Sequence, residues 1–434
     1  MRALYTLIWY LALPLLPLRL WWRGRKERGY REGVGERFGA YQNAVPHPVL
    51  WVHAVSLGET RAAASLVERV RRAHPDATVL LTHMTATGRA AGHALFGDGV
   101  VQAWLPYDVP FAVRAFLRHF RPRAGMIVET ELWPNLVALA TAAGVPLYLV
   151  NGRLSERSAR GYARVPSLVR PMLAAFAGVA AQSAADAARF SALGAKAPIV
   201  TGNLKFDLEV PAAALALGRE FRLRFGEQRP VWVAGSTRDG EEALLLDALA
   251  RARLPAGTLT VIVPRHPQRF DAVAQLLRQR GVPFVRRSDN VPVPADVGVV
   301  LGDSMGEMLG YYAAADVVFV GGSLVPLGGQ NLIEPIALAR PTLVGPHTFN
   351  FAEATANALA AGAVRRVDDA DALLALVGAL LGDRARCLAM AKAALDFHAA
   401  HRGAGQRLWQ WLAPRIEAAV QPAANARVSR TAGG

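Results

Sequence analysis

Cysteine is nearly absent. Cys387 stands alone in 434 residues, which excludes an intrachain disulfide and any cysteine-based zinc cluster and suits a reducing compartment. Lysine is almost as scarce, with four (Lys26, Lys196, Lys205 and Lys392) among 49 basic residues, so a lysine retained against that bias is a candidate for a specific role. No Gly-x-Gly-x-x-Gly follows an apolar run and no Gly-x-x-x-x-Gly-Lys-Ser/Thr occurs, which removes the main signals of a dinucleotide-dependent oxidoreductase and of a P-loop NTPase. His-Glu-x-x-His is missing as well. A single Asp-x-Asp, Asp369-Ala370-Asp371, opens an amphipathic stretch, where acidic residues complement a helix dipole without any metal. The longest apolar run, Leu4 to Trp22, is interrupted by Pro14, Pro17 and Arg19.

What is present is a globular composition, 52% hydrophobic and 19% charged, with a formal net charge of +15. That charge suits nucleic acid, an anionic bilayer or a phosphorylated substrate, and does not choose among them. The length exceeds one ordinary core, so two domains are expected. As one helix, Leu4–Trp22 would span about 28 Å against about 30 Å of hydrocarbon. Arg23, Arg25, Lys26, Arg28, Arg31 and Arg37 follow it, so the positive-inside rule keeps the rest of the chain in the cytoplasm, with Trp9, Trp21 and Trp22 as interfacial anchors. The expectation is a membrane anchor, either spanning or lying in one leaflet.

From residue 48 onward short apolar runs ("PVLWVHAV", "ATVLLTH", "AGMIVE", "VPLYLV", then "PVWVAGS", "TLTVIVP", "VGVVLG", "DVVFVGG" and "PTLVGP") alternate with helical patterns. This predicts α/β architecture with parallel sheets covered on both faces. A charged stretch, "REFRLRFGEQRP", divides two such series. The expected layout is an anchor and basic segment over 1–34, a Rossmann-like domain over 35–210, a linker over 211–229 and a second Rossmann-like domain over 230–395. A helix over 396–420 would cross back to the first domain, and 421–434 reads as a disordered tail. The two doubly wound domains would face a cleft, with ligands beyond the carboxyl ends of their strands.

Those ends carry the chemistry. In "WVHAVSLGET", Ser56 and Glu59 have capping-box spacing, yet Gly58 in the first helical turn is a poor helix former, so Glu59 reads equally as cap or as catalyst. "MIVETELWPN" places Glu129 and Glu131 after a strand, and "GNLKFD" carries Lys205. In the second series "FVGGSLVPLGGQNLIEP" passes from a strand through a glycine-rich loop into a helix, where free amides could cradle a phosphate. Asn331 and Glu334 there repeat the capping spacing, and a rim carboxylate could accept ribose hydroxyl protons. "VIVPRHPQRF" ends a strand with Pro264 and Arg265, and an arginine there suits a phosphate or a base carbonyl. "GDSMGEM" supplies Met305, Gly306 and Glu307.

The ordered set "HAVSLGETRAA", "LPYD", "ETELWPN", "NGRLSERSARGY", "GNLKFD", "PRHPQRF", "GGSLVPLGGQNLIEP" and "GPHTFNF" resembles the 3-deoxy-D-manno-octulosonic acid (Kdo) transferases of lipopolysaccharide assembly, from the N-terminal run to about residue 415. The resemblance implies a GT-B fold and metal-independent, inverting transfer of Kdo from CMP-Kdo to a lipid A precursor (lipid IVA) on the cytoplasmic face of the inner membrane. CMP-Kdo is then a donor substrate rather than a cofactor, and the partners are the lipid precursor and inner-membrane lipids, with no nucleic acid. By the same resemblance Glu59 is the general base and Glu129 and Lys205 stabilise the transition state. CMP falls to Pro264, Arg265, Met305, Gly306, Glu307, Asn331 and Glu334. Lys205, Arg265 and helix-terminal amides would meet the departing phosphate in place of a divalent ion. Two departures, Gln330 where many members have histidine and Asn151-Gly152-Arg153 where they have Asn-Ala-Arg, touch none of these positions. Rival readings are a nucleotide-sugar epimerase of the same architecture and a non-enzymatic scaffold on anionic lipid.

Overall fold

The computed structural model describes residues 1–25, 27–42 and 44–421. Lys26 of the basic segment and the tail from residue 422, expected to be disordered, lie outside the described residues. The chain forms two compact units, Met1–Asp207 with the segment from Gly403 onward, and Leu208–Arg402.

The first unit is built on seven parallel strands: β1 (Val49–His53), β2 (Thr78–His83), β3 (Val101–Trp104), β4 (Pro122–Val128), β5 (Leu147–Gly152), β6 (Gly178–Ala181) and β7 (Ile199–Val200). Their order is β3-β2-β1-β4-β5-β6-β7. All five residues of β1 are buried, because helices cover both faces of a parallel sheet. Alternation along the strand divides them. Val49 and Trp51 join a core with Phe116, Leu136 and Phe190, whereas Leu50 and Val52 pack with Leu66, Val67, Leu408 and Leu412 on the other side. The helix Leu57–Ala73 buries Ala62, Ala63, Leu66, Val67 and Val70 at helical spacing and ends on Arg71 and Arg72, which suit its negative end.

The second unit repeats the plan with β8 (Val231–Thr237), β9 (Leu259–Pro264), β10 (Phe284–Arg286), β11 (Val299–Leu301), β12 (Val317–Val320), β13 (Thr342–Val344) and β14 (Val364–Arg366). Here the order is β10-β11-β9-β8-β12-β13-β14. In each sheet the first strand in sequence lies between neighbours reached in opposite directions, β1 between β2 and β4, β8 between β9 and β12. Such a reversal opens a crevice at the carboxyl edge.

Three expected boundaries differ. The stretch read as a linker contains the helix Ala212–Phe225, which belongs to the second unit and whose Gly218 lies against Gly310 and Ala313. The expected last helix is two, Arg384–His401 and Ala404–Val420, broken at Arg402 and Gly403. Asp207 caps the second of them, accepting from the amides of Gly403 at 2.7 Å, Ala404 at 3.2 Å and Gly405, so that helix packs in the first unit. The apolar N-terminus is not one helix either, but a pair, Arg2–Ala12 and Leu15–Arg23, bent by 61°. Pro14 lacks an amide hydrogen and its ring clashes with the preceding turn, which ends the first helix there. No single helix among the described residues is long and apolar enough to cross a membrane, although the bent pair together has the length and composition. Leu16 and Leu20 of the pair are buried against Tyr30 and Tyr107, while Leu11, Leu15 and Leu18 are 71%, 64% and 64% exposed.

Candidate active site

Three carboxylates and one ammonium group gather at the carboxyl edge of the first sheet. β1 runs through Ala54 and Val55 into the helix that begins at Leu57, and Ser56 caps it, its hydroxyl accepting from the Glu59 amide at 3.4 Å. The Glu59 carboxylate turns back to accept from the Val55 amide at 2.7 Å and the Ser56 hydroxyl at 2.9 Å. The capping role read from the spacing therefore exists. It does not exhaust the residue. Burial and the charge of Glu129 raise the Glu59 pKa to about 7, against the opposing pull of Val55, Ser56 and Lys205. Gly58 is exposed, and a Cβ there would meet only the Ser56 hydroxyl at 4.0 Å, so no neighbouring backbone of this unit demands the glycine.

The adjacent strand, β4, delivers the other two acids. Glu129 adopts φ 61°, a left-handed conformation that costs a non-glycine residue about 1–3 kcal/mol and concentrates at functional sites. Its amide still donates to Val150 at 3.0 Å, keeping the link to β5, while its carboxylate accepts from Lys205 Nζ at 2.7 Å. This pair is formed across 76 positions of sequence. Glu131 accepts from Trp133 Nε1 at 3.0 Å. Burial, then the charge of Glu59, raise its pKa to about 7 as well. Both carboxyls thus titrate near neutral pH, Glu131 under the influence of the Glu59 charge.

Asn151 fixes the lysine. At φ 52° and fully buried, it accepts the Leu204 amide on its side-chain oxygen at 3.0 Å, one residue before Lys205. Its own carbonyl accepts from Gln182 at 3.0 Å. The sequence singled out Asn151 only as part of a motif departure and gave Glu131 no role; the signals available were the second acid of Glu-x-Glu and an asparagine at a strand end, where left-handed backbone is tolerated. Nearby His53 and His83 are buried, their pKa values depressed to about 3 and about 4, chiefly by desolvation. They stay neutral.

In the second unit the named residues sit beyond the carboxyl ends of β9, β11 and β12. Pro264 closes β9, and the Arg265 amide donates to Thr237 at 3.0 Å, tying it to β8. The charges of Arg265 and Glu334 both reach the buried Tyr312, the latter raising and the former lowering its pKa, so the fold brings these two side chains around one hydroxyl. Asn331 Nδ2 donates to Glu334 at 3.1 Å and its oxygen accepts from the Ile333 amide at 3.1 Å, which orients the carboxylate. Glu307 is held by Arg287 through two bonds of 3.1 and 3.0 Å and by Ser304 at 2.5 Å. With that carboxylate engaged, the segment presents Met305, 54% exposed, and Gly306 at φ 82°.

The glycine-rich loop differs from expectation. The amides of Gly322, Ser323 and Leu324 do not await a phosphate: they donate to the fully buried carboxylate of Glu241 at 2.5, 2.9 and 2.9 Å, and Arg238 adds a fourth amide at 2.9 Å. An internal anion thus occupies the loop where an external one was expected. The helix that follows, Ile333–Ala337, is only five residues long. Sequence reasoning missed Glu241 because an acid at a helix start satisfies the dipole without further partners. Asp369 and Asp371 behave as read, the first capping a helix through the Ala372 amide at 2.8 Å and the second pairing with Arg251 at 2.8 Å.

A family model described as 3-Deoxy-D-manno-octulosonic-acid transferase (kdotransferase) matches residues 32–208, the segment holding Glu59, Glu129, Glu131 and Lys205. A curated 3-deoxy-D-manno-octulosonic acid transferase of Bordetella pertussis is 46% identical over 431 residues, covering 95% of this chain and 99% of that protein. One from Haemophilus influenzae is 36% identical over 423 residues, 96% and 99% of the two chains. Among solved structures, the UDP-GlcNAc 2-epimerase of Neisseria meningitidis bound to UDP-GlcNAc shares the fold alone, with a TM-score of 0.58 at 15% identity, covering 84% of this chain and 99% of that one. Near-full-length identity of this degree, over a sequence whose strand-end acids and lysine converge as described, places the chain in the 3-deoxy-D-manno-octulosonic acid transferase family.

Proposed function

We propose that this chain is a GT-B glycosyltransferase that moves Kdo from CMP-Kdo to a lipid A precursor, lipid IVA, without a metal ion, at the cytoplasmic face of the inner membrane. The observation that carries the chemistry is Glu59, a carboxylate hydrogen-bonded into place whose pKa near 7 matches a general base working at neutral pH. Glu59 takes the proton of an acceptor sugar hydroxyl as that oxygen attacks the anomeric carbon of Kdo. The bond from that carbon to the CMP phosphate breaks, and CMP leaves with the electron pair, inverting the centre. The Glu129–Lys205 pair holds an ammonium group in a fixed position at the first unit's strand edge, where preorganised charge stabilises what develops in the transition state. Incubating the protein with CMP-Kdo and the lipid precursor and seeking the Kdo-bearing product by mass spectrometry tests the assignment; no product would reject it.

In the second unit Arg265 meets the nucleotide's phosphate or base, Glu334 accepts from the ribose, and Pro264, Met305, Gly306, Glu307 and Asn331 shape the remainder. Arg265→Ala and Glu334→Ala are each expected to weaken CMP binding about ten-fold or more, the loss of one charge-assisted hydrogen bond, with melting temperature unchanged. Titration calorimetry showing unaltered affinity in both variants would remove this set as the nucleotide site.

Membrane attachment falls to the bent N-terminal pair and its basic flank. A Leu11→Glu, Leu15→Glu, Leu18→Glu triple variant alters only exposed positions, so the fold persists while sedimentation with anionic vesicles at high salt drops sharply. High salt removes the contribution of exposed arginines; undiminished sedimentation would defeat the anchor.

A further inference from the structure

Beside the catalytic edge the first unit carries an open groove of about 880 Å³, toward the upper end of the roughly 300–1,000 Å³ of small-molecule sites. Its floor and walls come from the N-terminal helix and the helices Pro110–Phe120, Pro134–Ala142 and Pro166–Ala174, with Leu7, Leu139, Leu168 and Met172 giving it an apolar lining. Among the described residues only Arg2 and Arg114 bring charged side chains to the lining, and both are cationic. We propose that this groove binds an acyl chain of the acceptor lipid, with Arg2 and Arg114 beside its phosphate. The inference rests on the acceptor reading above and adds to it where the hydrocarbon goes.

One observation favours the acceptor over a bilayer lipid as occupant. The groove wall is a direct continuation of the catalytic segment: Glu129, Glu131 and Trp133 lead without interruption into Pro134 and Asn135, which line the groove. The junction is rigid, because Trp133 donates to Glu131 at 3.0 Å and stands 6.3 Å from Trp9, while Asn135 accepts from Thr6 at 3.0 Å and donates to Asp108 at 2.8 Å. A ligand lying along this segment has its sugar near the base and its chain among leucines. The cationic rim on an apolar pocket adds that the occupant is an amphiphile with an anionic head.

The test fills the groove without touching the acids. Ala138→Trp and Ala175→Trp place bulk at two lining positions, and transfer is measured in detergent micelles, free of bilayer, with the acylated acceptor and with the same phosphorylated disaccharide stripped of its chains. The expected result is a KM for the acylated acceptor raised about ten-fold, the factor that goes with losing one or two buried methylene groups, and unchanged kcat/KM for the stripped acceptor. In parallel, an acceptor with a photoreactive group on one chain should cross-link to Leu7, Leu139 or Leu168 in the original protein and not in the variants. An unchanged KM without such cross-links overturns the proposal, as does an equal loss on both acceptors. Variants that lose vesicle binding while keeping their KM would give the groove to a bilayer lipid and overturn it too. Failure of the unsubstituted protein to transfer Kdo to either acceptor would instead reject the acceptor reading itself.

Discussion

Glu59→Gln is expected to lower turnover by about 10²- to 10⁴-fold, the contribution of a positioned general base, while CMP affinity and melting temperature stay near their original values. A carboxamide keeps the size of the side chain. Its oxygen still accepts from the Val55 amide, and its amino group can donate to the Ser56 hydroxyl, which now accepts, so the two bonds that hold Glu59 survive in altered polarity. What disappears is the capacity to take a proton. If the residue served only as a cap, the outcome would reverse: a loss of about 1 kcal/mol in stability and a rate within a few-fold.

The pH dependence carries a second signature. A base is active when deprotonated, so the original protein should gain rate as pH rises through about 7, the raised value for Glu59. Glu131 titrates in the same range, and it is the Glu59 charge that helps to raise it. Glu131→Gln therefore leaves the acid limb in place, whereas Glu59→Gln removes the limb together with the rate. Stability runs in the opposite sense. The folded pKa lies above the ordinary glutamate value of 4.5, so the folded state holds an extra proton between the two, and the stabilisation present at low pH is lost as pH rises toward 7. Glu59→Gln should flatten that decline in a series of thermal melts. A rate within about three-fold of the original, or an acid limb that persists in Glu59→Gln, would transfer the role elsewhere.

Glu241→Ala should have the largest structural effect. Four amides, of Gly322, Ser323, Leu324 and Arg238, lose their acceptor at once, the first two of them buried and the others half-buried, and each unsatisfied buried donor costs about 1–3 kcal/mol. Relaxation of the loop recovers part of this, leaving a net loss of roughly 3–5 kcal/mol and a melting temperature lower by about 10 °C for a unit of this size. CMP binding should fall with it, because the same loop leads to Asn331 and Glu334. Glu241→Gln keeps one oxygen for two of the four amides and should be intermediate. Calorimetric melting within two or three degrees for the alanine variant would mean that the carboxylate does not organise the loop.

The sequence by itself determined the architecture and the location of the chemistry. Parallel strands buried on both faces read as unbroken apolar runs, so β1, β4, β8, β9 and β12 were legible as strands and their carboxyl ends as the places to search. Glu59, Glu129 and Arg265 lie just past such runs, where short-range pattern suffices. The tertiary structure alone decided what those groups experience. A pKa near 7 for Glu59 comes from burial and from an acid on a different strand; the Glu129–Lys205 bond joins residues 76 positions apart; and Glu241 reaches the amide of Gly322 across 81. None of these is a local property, because electrostatics and desolvation depend on distance in space. The same reason governs the helix ends: Pro14 marked a disruption, but only packing of Leu16 and Leu20 against Tyr30 and Tyr107 turned it into a bend of 61°. Likewise Gly403, at φ 84°, bounds a helix whose first amides are accepted by Asp207, distant in sequence.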